Sequence, residues 1–276
     1  MSVSILILTL NEEHNLPDCL ESVKWSDDIV VLDSFSTDRT TEIAKLSGSR
    51  VVQRKFDNWA SHQNWAMENI QFRHEWVFYL DADERMTDDL HAEISTIASN
   101  RHEEAVAYYC GRKNFFMGRW IKHAMPPGMI MRFFRPPNVR FERLVNPTPV
   151  INGAHGYLKN CFLHYNFSKG ITEWFDKHNK YSGLEAQEGM KLLKGQARSE
   201  GSLFARDLAS RRKALKSLSF HLPFRAFLKF VYFYIVKRGF LDGRPGLTYC
   251  ALQSIYEYLI ALKMKELQRK EKGLSI

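Results

Sequence analysis

Apolar residues in the first hundred positions recur in two alternating rhythms. Val3–Leu10 is an unbroken run of β-branched and aliphatic side chains, the pattern of a strand buried on both faces. Shorter runs of the same kind follow at Ile29–Leu32, Val51–Val52 and Trp76–Leu80. Between them lie segments with helical spacing. Asn15–Val23 carries Pro17 in its first turn, where the missing N–H costs little. Thr40–Leu46 and Trp59–Asn69 follow, and a fourth helix runs from about Asp88 to Ala98 with Thr87 as its N-cap. The βαβαβαβα order predicts an α/β fold: a mainly parallel, twisted sheet with helices on both faces.

Beyond Ala105 the rhythm changes. Val106–Cys110, Met129–Phe134 and Phe162–Tyr165 read as short strands among Pro-, Gly- and Asn-rich connections, the mixed half of the same sheet. After Gly170 the pattern is helical. Ile171–Lys194 carries Trp174, Phe175, His178 and Tyr181 at helical spacing, a charged stretch covers Arg206 to Lys216, and two aromatic-rich segments span Leu222–Val236 and Leu247–Leu262. Arg225 and Lys229 interrupt the first of these and Gln253 and Glu257 the second, so neither has the roughly 20 apolar residues of a spanning helix. They fit an interfacial helix, apolar on one side and basic on the other, or a helical subdomain with its own core. The expected division is a catalytic domain over residues 1–168 and a C-terminal helical extension over 169–276.

Composition narrows the partners. Apolar residues make up 45% of the 276, enough for a real core, and the net charge is +8. The basic excess falls after about Arg198, which points to an anionic partner. Basic residues alternate there with bulky aromatics, a pattern suited to an anionic membrane surface rather than to nucleic acid. The four cysteines (Cys19, Cys110, Cys161, Cys250) lie far apart with no C-x-x-C pair, which fits a reducing compartment. The first apolar run ends at Asn11-Glu12-Glu13 and lacks a basic flank, so it reads as a strand rather than a signal peptide, and a cytoplasmic site is expected.

Parallel sheets bind ligands at the carboxyl ends of their strands. Those ends are Thr9-Leu10-Asn11-Glu12, Asp33 to Asp38, and Asp81-Ala82-Asp83-Glu84, all polar and rich in carboxylates. A dinucleotide fold or a P-loop would place glycines after the first strand, but the first glycine is Gly48. A bound diphosphate would therefore need another counter-charge, and the carboxylates suggest a divalent cation, Mn²⁺ or Mg²⁺. Asp81 and Asp83 stand two apart just past a strand, so both can face one loop cavity. His164, at the end of the last expected strand, is a candidate metal or phosphate contact. Arg132 and Arg135 are candidate guanidinium contacts to a diphosphate, or solvated surface arginines.

Three stretches carry a resemblance: Ser4-Ile5-Leu6-Ile7-Leu8-Thr9-Leu10-Asn11-Glu12-Glu13, Val30 through Thr40, and Tyr79-Leu80-Asp81-Ala82-Asp83-Glu84. In order and spacing, residues 1–100 resemble the donor-binding half of the GT-A fold in family 2 glycosyltransferases, most of all the bacterial branch that builds lipopolysaccharide core and exopolysaccharide chains. The resemblance implies a nucleotide-sugar donor, with Thr9, Asn11 and Glu12 lining the nucleoside pocket and Asp33 bonding the base or ribose. It places Asp81 near the ribose and diphosphate, Asp83 on the metal, and Gln63 with Asn64 on a helix facing the donor. That branch often shows Val-His-Glu where this chain reads Leu144-Val145-Asn146-Pro147, so the general base must be sought elsewhere. Glu142 is the nearest carboxylate and the first choice, with Glu84 still open. The expected function is inverting, metal-dependent transfer from a UDP-sugar or related donor to a glycan or lipid-linked acceptor at the inner membrane face. The competing readings are a non-catalytic nucleotide-sugar scaffold and a sugar nucleotidyltransferase, the latter disfavoured by the missing glycine loop.

Overall fold

The computed structural model describes residues 3–142, 147–194 and 224–275. Asn146, the charged stretch from Arg206 to Lys216 and the start of the Leu222–Val236 segment lie outside the described residues. The chain divides into two compact units, one of residues 1–115 and 126–168, the other of residues 116–125 and 169–276.

The strands are β1 (Ser4–Thr9), β2 (Ile29–Asp33), β3 (Arg50–Gln53), β4 (Val77–Asp81), β5 (Glu84–Arg85), β6 (Ala105–Phe116), β7 (Arg119–Trp120), β8 (Met129–Phe134), β9 (Val139–Glu142), β10 (Thr148–Ile151) and β11 (Ala154–His164). The helices of the first unit are α1 (Leu16–Val23), α2 (Thr40–Leu46), α3 (Trp59–Asn69) and α4 (Asp88–Ser99). Its main sheet runs β3-β2-β1-β4-β8-β6-β11-β5. Neighbours β3/β2, β2/β1, β1/β4 and β6/β11 are parallel, whereas β8 is antiparallel to both β4 and β6. The α/β order thus gives the expected mixed, mainly parallel sheet, and β9 with β10 forms a separate antiparallel pair.

The continuous apolar run of β1 is explained by burial on both faces. Ile5 and Ile7 join Val31, Phe78 and Leu80 beneath α1 and α4, where Leu16, Leu20, Leu90 and Ile94 close the layer. Leu6 and Leu8 point the other way, with Val30, Leu32 and Tyr79, and meet Ala60 and Ala66 of α3 and Phe141 of β9. Thr87 caps α4, its hydroxyl accepting from the Leu90 N–H at 3.3 Å. A cleft of about 580 Å³ lined by Pro17, Leu20, Lys24, Asp27 and Ile43 opens where β2 begins, at the end of the sheet away from the carboxylates.

In the second unit α5 (Gly170–Leu193) packs on α7 (Gly243–Glu271) through Ala186, Met190, Ile260 and Met264. Between them in sequence, α6 (Arg225–Val231) ends where the next turn, Tyr232–Val236, widens to a π-helix. Arg225 and Glu257 form a largely buried ion pair. The Asp242 carboxylate accepts the backbone N–H groups of Lys122, His123 and Ala124 at 2.8–3.3 Å. No helix among the described residues is long and apolar enough to cross a membrane.

Candidate functional site

The parallel register places three strand ends side by side: Thr9 opposite Asp33, and Leu8 opposite Asp81. Asp33 is fully buried. Its oxygens accept from Thr9 Oγ1 at 3.1 Å, the Ser36 N–H at 2.9 Å, Gln53 Nε2 at 3.0 Å and the Ser36 hydroxyl. Asn11 adopts a left-handed backbone, φ 54°, that turns the chain out of β1. Its Oδ1 accepts from the Thr37 N–H and its own N–H donates to Ser36 Oγ, both at 2.8 Å. The Glu12 N–H donates to Thr40 Oγ1 at 2.7 Å, and its carboxylate accepts from Asn15 Nδ2 at 2.8 Å. Thr9, Asn11, Glu12 and Asp33 are therefore brought together with the loop over residues 34–40. In this form Asp33 acts as the knot of that loop.

On α3, Gln63 is buried and its Oε1 has no hydrogen-bond partner among the described residues. The neighbouring His62 lies 3.4 Å from Ser34 Oγ through Nε2 and 2.9 Å from an Arg54 nitrogen through Nδ1. Burial, helped by Arg54, pushes the His62 imidazole down to about 4, so it is neutral at physiological pH. Asn64 does not face a ligand cavity: it clasps the backbone of Phe141, accepting its N–H at 2.7 Å and donating to its carbonyl at 2.8 Å. That clasp fixes β9, the strand that ends at Glu142.

After β4 the chain turns through Asp81-Ala82-Asp83 and returns as β5 against the end of β11, with Glu84 opposite His164 and Arg85 opposite Leu163. The Tyr165 N–H extends this ladder by donating to the Asp83 carbonyl at 2.9 Å. The two residues assigned to a metal are thereby neighbours, His164 Nε2 lying 3.4 Å from Asp83 Oδ2. His164 Nδ1 in turn sits 2.8 Å from Asn114 Oδ1. Asp81 faces the other way, accepting from Tyr79 Oη at 2.6 Å and from Arg132 at 2.7 Å.

Arg132 is neither a loop residue nor a solvated surface arginine. It lies within β8, 4% exposed, with its guanidinium 2.7 Å from Glu84 Oε1 as well as Asp81 Oδ2 and 4.0 Å over the Tyr79 ring. Arg135 pairs with Glu75 at 3.0 Å and covers Trp76. Glu84 is wholly enclosed, which removes it as a base for an incoming hydroxyl. Burial raises its carboxyl above the usual carboxylate range while Arg132 pulls it back. Glu142 is exposed, opposite Thr148 on the separate β9–β10 pair. No hydrogen bond or ion pair among the described residues joins it to the carboxylate loop.

Residues 4–158 match the model of glycosyl transferase family 2. The chain belongs to that family. It is 25% identical to an uncharacterized glycosyltransferase of Rickettsia typhi over 99% of this chain and 89% of the relative. It is 26% identical to the lipopolysaccharide core biosynthesis glycosyltransferase LpsC of Rhizobium meliloti over 68% of this chain and 72% of the relative. Among solved structures, Staphylococcus aureus TarS 1–349 aligns over 96% of this chain and 92% of its own at 13% identity, with a TM-score of 0.44. A family 2 glycosyltransferase is an enzyme that moves a sugar from a nucleotide-sugar donor to an acceptor, and the matched region contains the first three strand ends described above.

Sequence reasoning about this glycosyltransferase missed Arg132 as the counter-charge of the loop and Asn114 as the partner of His164. The one available signal was a lone Arg inside the apolar strand Met129-Ile130-Met131-Arg132-Phe133-Phe134, since a buried charge demands a partner. Among the described residues no three His, Cys, Asp or Glu side chains converge into a complete metal cage. Asp83 and His164 offer one carboxylate oxygen and one imidazole nitrogen. Such a partial set fits a divalent ion that takes its remaining ligands from phosphate oxygens and water.

Proposed function

We propose that this enzyme is an inverting, metal-dependent glycosyltransferase that uses a nucleotide diphosphate sugar, probed first as UDP-sugars, to extend a glycan or lipid-linked acceptor in cell-surface polysaccharide synthesis. The observation that carries the reading is the approach of Asp83 to His164 Nε2 at the carboxyl edge of the sheet, next to the ends of β1 and β2. Mn²⁺ or Mg²⁺ held by these two residues would supply Lewis-acid stabilisation of the departing diphosphate. Thr9, Asn11, Glu12 and Asp33 shape the nucleoside pocket, and the unpaired carbonyl of Gln63 supports a donor group from the ligand reaching it. Asp81, held by Tyr79 and Arg132, presents its remaining edge toward ribose and diphosphate. Glu142, exposed at the end of β9, takes the acceptor proton.

Similarity to a protein named for lipopolysaccharide core biosynthesis supports a cell-surface glycan as product. Exposed Phe227, Leu228, Ile235 and Val236 lie close in sequence to Lys229 and Lys237. This mixture supports peripheral binding to the anionic inner face of the cytoplasmic membrane, at roughly 1 kcal/mol for each nearby basic residue.

Calorimetric titration of a panel of UDP-sugars, with Mn²⁺ and with chelator, tests the donor and the metal together. Binding should require the metal and weaken about tenfold or more in Asp83→Ala. Equal metal-dependent binding by that variant refutes the assignment. The anomeric configuration of the product, read by proton NMR, tests inversion. Co-sedimentation with phosphatidylglycerol but not phosphatidylcholine vesicles, lost at high salt, tests the membrane reading.

A further inference from the structure

Resting on the metal reading above, we propose that Asn114 is a positioning residue for His164: its buried carboxamide oxygen holds the imidazole proton on Nδ1 and leaves the Nε2 lone pair facing Asp83. Asn114 and His164 are register partners on the parallel strands β6 and β11, so their side chains leave the sheet on the same face. Asn114 is 2% exposed, and its Oδ1 lies 2.8 Å from His164 Nδ1. A carboxamide so enclosed needs a hydrogen-bond partner, and an oxygen can only accept. The Nδ1 atom must therefore carry the proton. The opposite tautomer would set two lone pairs against each other at 2.8 Å, inside hydrogen-bond distance, whereas Nε2 faces Asp83 Oδ2 at the longer 3.4 Å.

The consequence falls on the far side of the ring. With Nδ1 protonated, Nε2 is the basic nitrogen, and it is the atom 3.4 Å from Asp83 Oδ2. Neutral imidazole in water favours the proton on Nε2, which would block this nitrogen as a ligand. Asn114 reverses that preference before any cation arrives. Just past that pair Phe115 stacks on Tyr165 with centroids 5.0 Å apart, which ties the two strand ends together. Outer partners of ligating histidines act in this way, and their loss typically weakens metal affinity about 10–100-fold.

The test reads the tautomer directly. Full-length protein carrying ¹⁵N-histidine is examined without metal by long-range ¹H–¹⁵N NMR at about pH 8, where an ordinary imidazole is neutral, with His164→Gln to assign the signal. Wild type should show His164 protonated on Nδ1. Asn114→Asp, which keeps the acceptor, should retain that state, and Asn114→Leu should move the proton to Nε2. Calorimetry with Mn²⁺ and UDP should then show a dissociation constant raised about tenfold or more in Asn114→Leu and within about threefold of wild type in Asn114→Asp. Wild-type His164 protonated on Nε2 overturns the proposal without needing any variant. So does an Asn114→Leu protein whose tautomer and affinity match wild type. If wild type binds UDP no better with Mn²⁺ than without, while the tautomer still switches in Asn114→Leu, the metal reading is what has failed, and the role of Asn114 toward a metal falls with it.

Discussion

Replacing Arg132 by Met should be among the most damaging single changes in the first unit, although the residue touches no expected ligand. The guanidinium is the counter-charge of two carboxylates, at 2.7 Å from each, and Glu84 is fully enclosed. Removing one partner of a buried pair typically costs about 3–5 kcal/mol, because the remaining charge is stranded. The stacking on Tyr79 at 4.0 Å adds about 1 kcal/mol. Met fills much of the aliphatic stem, so the lost packing is small. Against this, Glu84 can take a proton, and burial has already raised its carboxyl, so the total should lie near the lower end, about 3–4 kcal/mol. For a domain of this size that corresponds to a fall in Tm of roughly 6–16 °C.

The escape by protonation gives the prediction a signature. Without Arg132 the folded pKa of Glu84 rises further above its unfolded value, so the folded state binds the extra proton. Stability of Arg132→Met should then fall as pH rises through neutrality, by at most about 1.4 kcal/mol per unit, more steeply than in wild type. Urea unfolding followed by tryptophan fluorescence at several pH values measures both quantities. Arg132→Met/Glu84→Gln should recover about 2 kcal/mol or more relative to additivity, since the stranded charge is gone. A single variant within about 1 kcal/mol of wild type, or a cycle additive to about 0.5 kcal/mol, would refute the claim that this ion pair organises the loop.

Two further predictions concern other elements. His62 titrates near 4 in the folded chain, below the ordinary value of 6.5, so the unfolded chain takes up the proton first: stability should be full above about pH 6.5 and decline toward pH 4 by on the order of 3 kcal/mol, and His62→Gln should flatten that slope in urea midpoints. Asp242→Ala strips the acceptor from the N–H groups of Lys122, His123 and Ala124, so hydrogen exchange at those three amides should accelerate at least about tenfold, with a loss of about 2 kcal/mol in the second unit; unchanged exchange there would show that other groups hold the segment.

Much of the first unit is legible in the sequence because local signals and tertiary demand agree. Thr40–Leu46 and Trp59–Asn69 have the bounds their spacing predicts, and Thr87 caps where the Thr-Asp-Asp start implies. The parts that escaped are set by distant partners. β5 is only Glu84 and Arg85, a strand solely because β11 lies beside it. β11 extends back to Ala154 through Gly156, a residue that weakens a strand pattern but is required here, since a Cβ would meet the Tyr108 ring at 2.5 Å. The site divides in the same way. Asp81, Asp83 and His164 announce themselves at strand ends, whereas Arg132 and Asn114 sit within β8 and β6 and gain meaning only from neighbours about fifty residues away.

What the surroundings do to four acidic residues bears on the metal reading. Asp33 is saturated by donors from β1, β3 and the loop that follows it, and Glu84 is committed to Arg132 and the Asp81 N–H. Asp81 gives one oxygen to Tyr79 and the other to Arg132, while Asp83 turns an oxygen toward Nε2 of His164. Of the three carboxylates in the segment from Asp81 to Glu84, two are bonded to Arg132, while the Arg85 guanidinium holds the Ala82 and Glu84 carbonyls and the Arg112 guanidinium acts electrostatically on all three. No glycine loop of backbone N–H groups follows β1 to offset the charge of a diphosphate, since the first glycine is Gly48. Arg132 cannot turn to the ligand without stranding Glu84. A divalent cation arriving with the donor is the counter-charge proposed above, with Asp83 and His164 as the residues proposed to meet it.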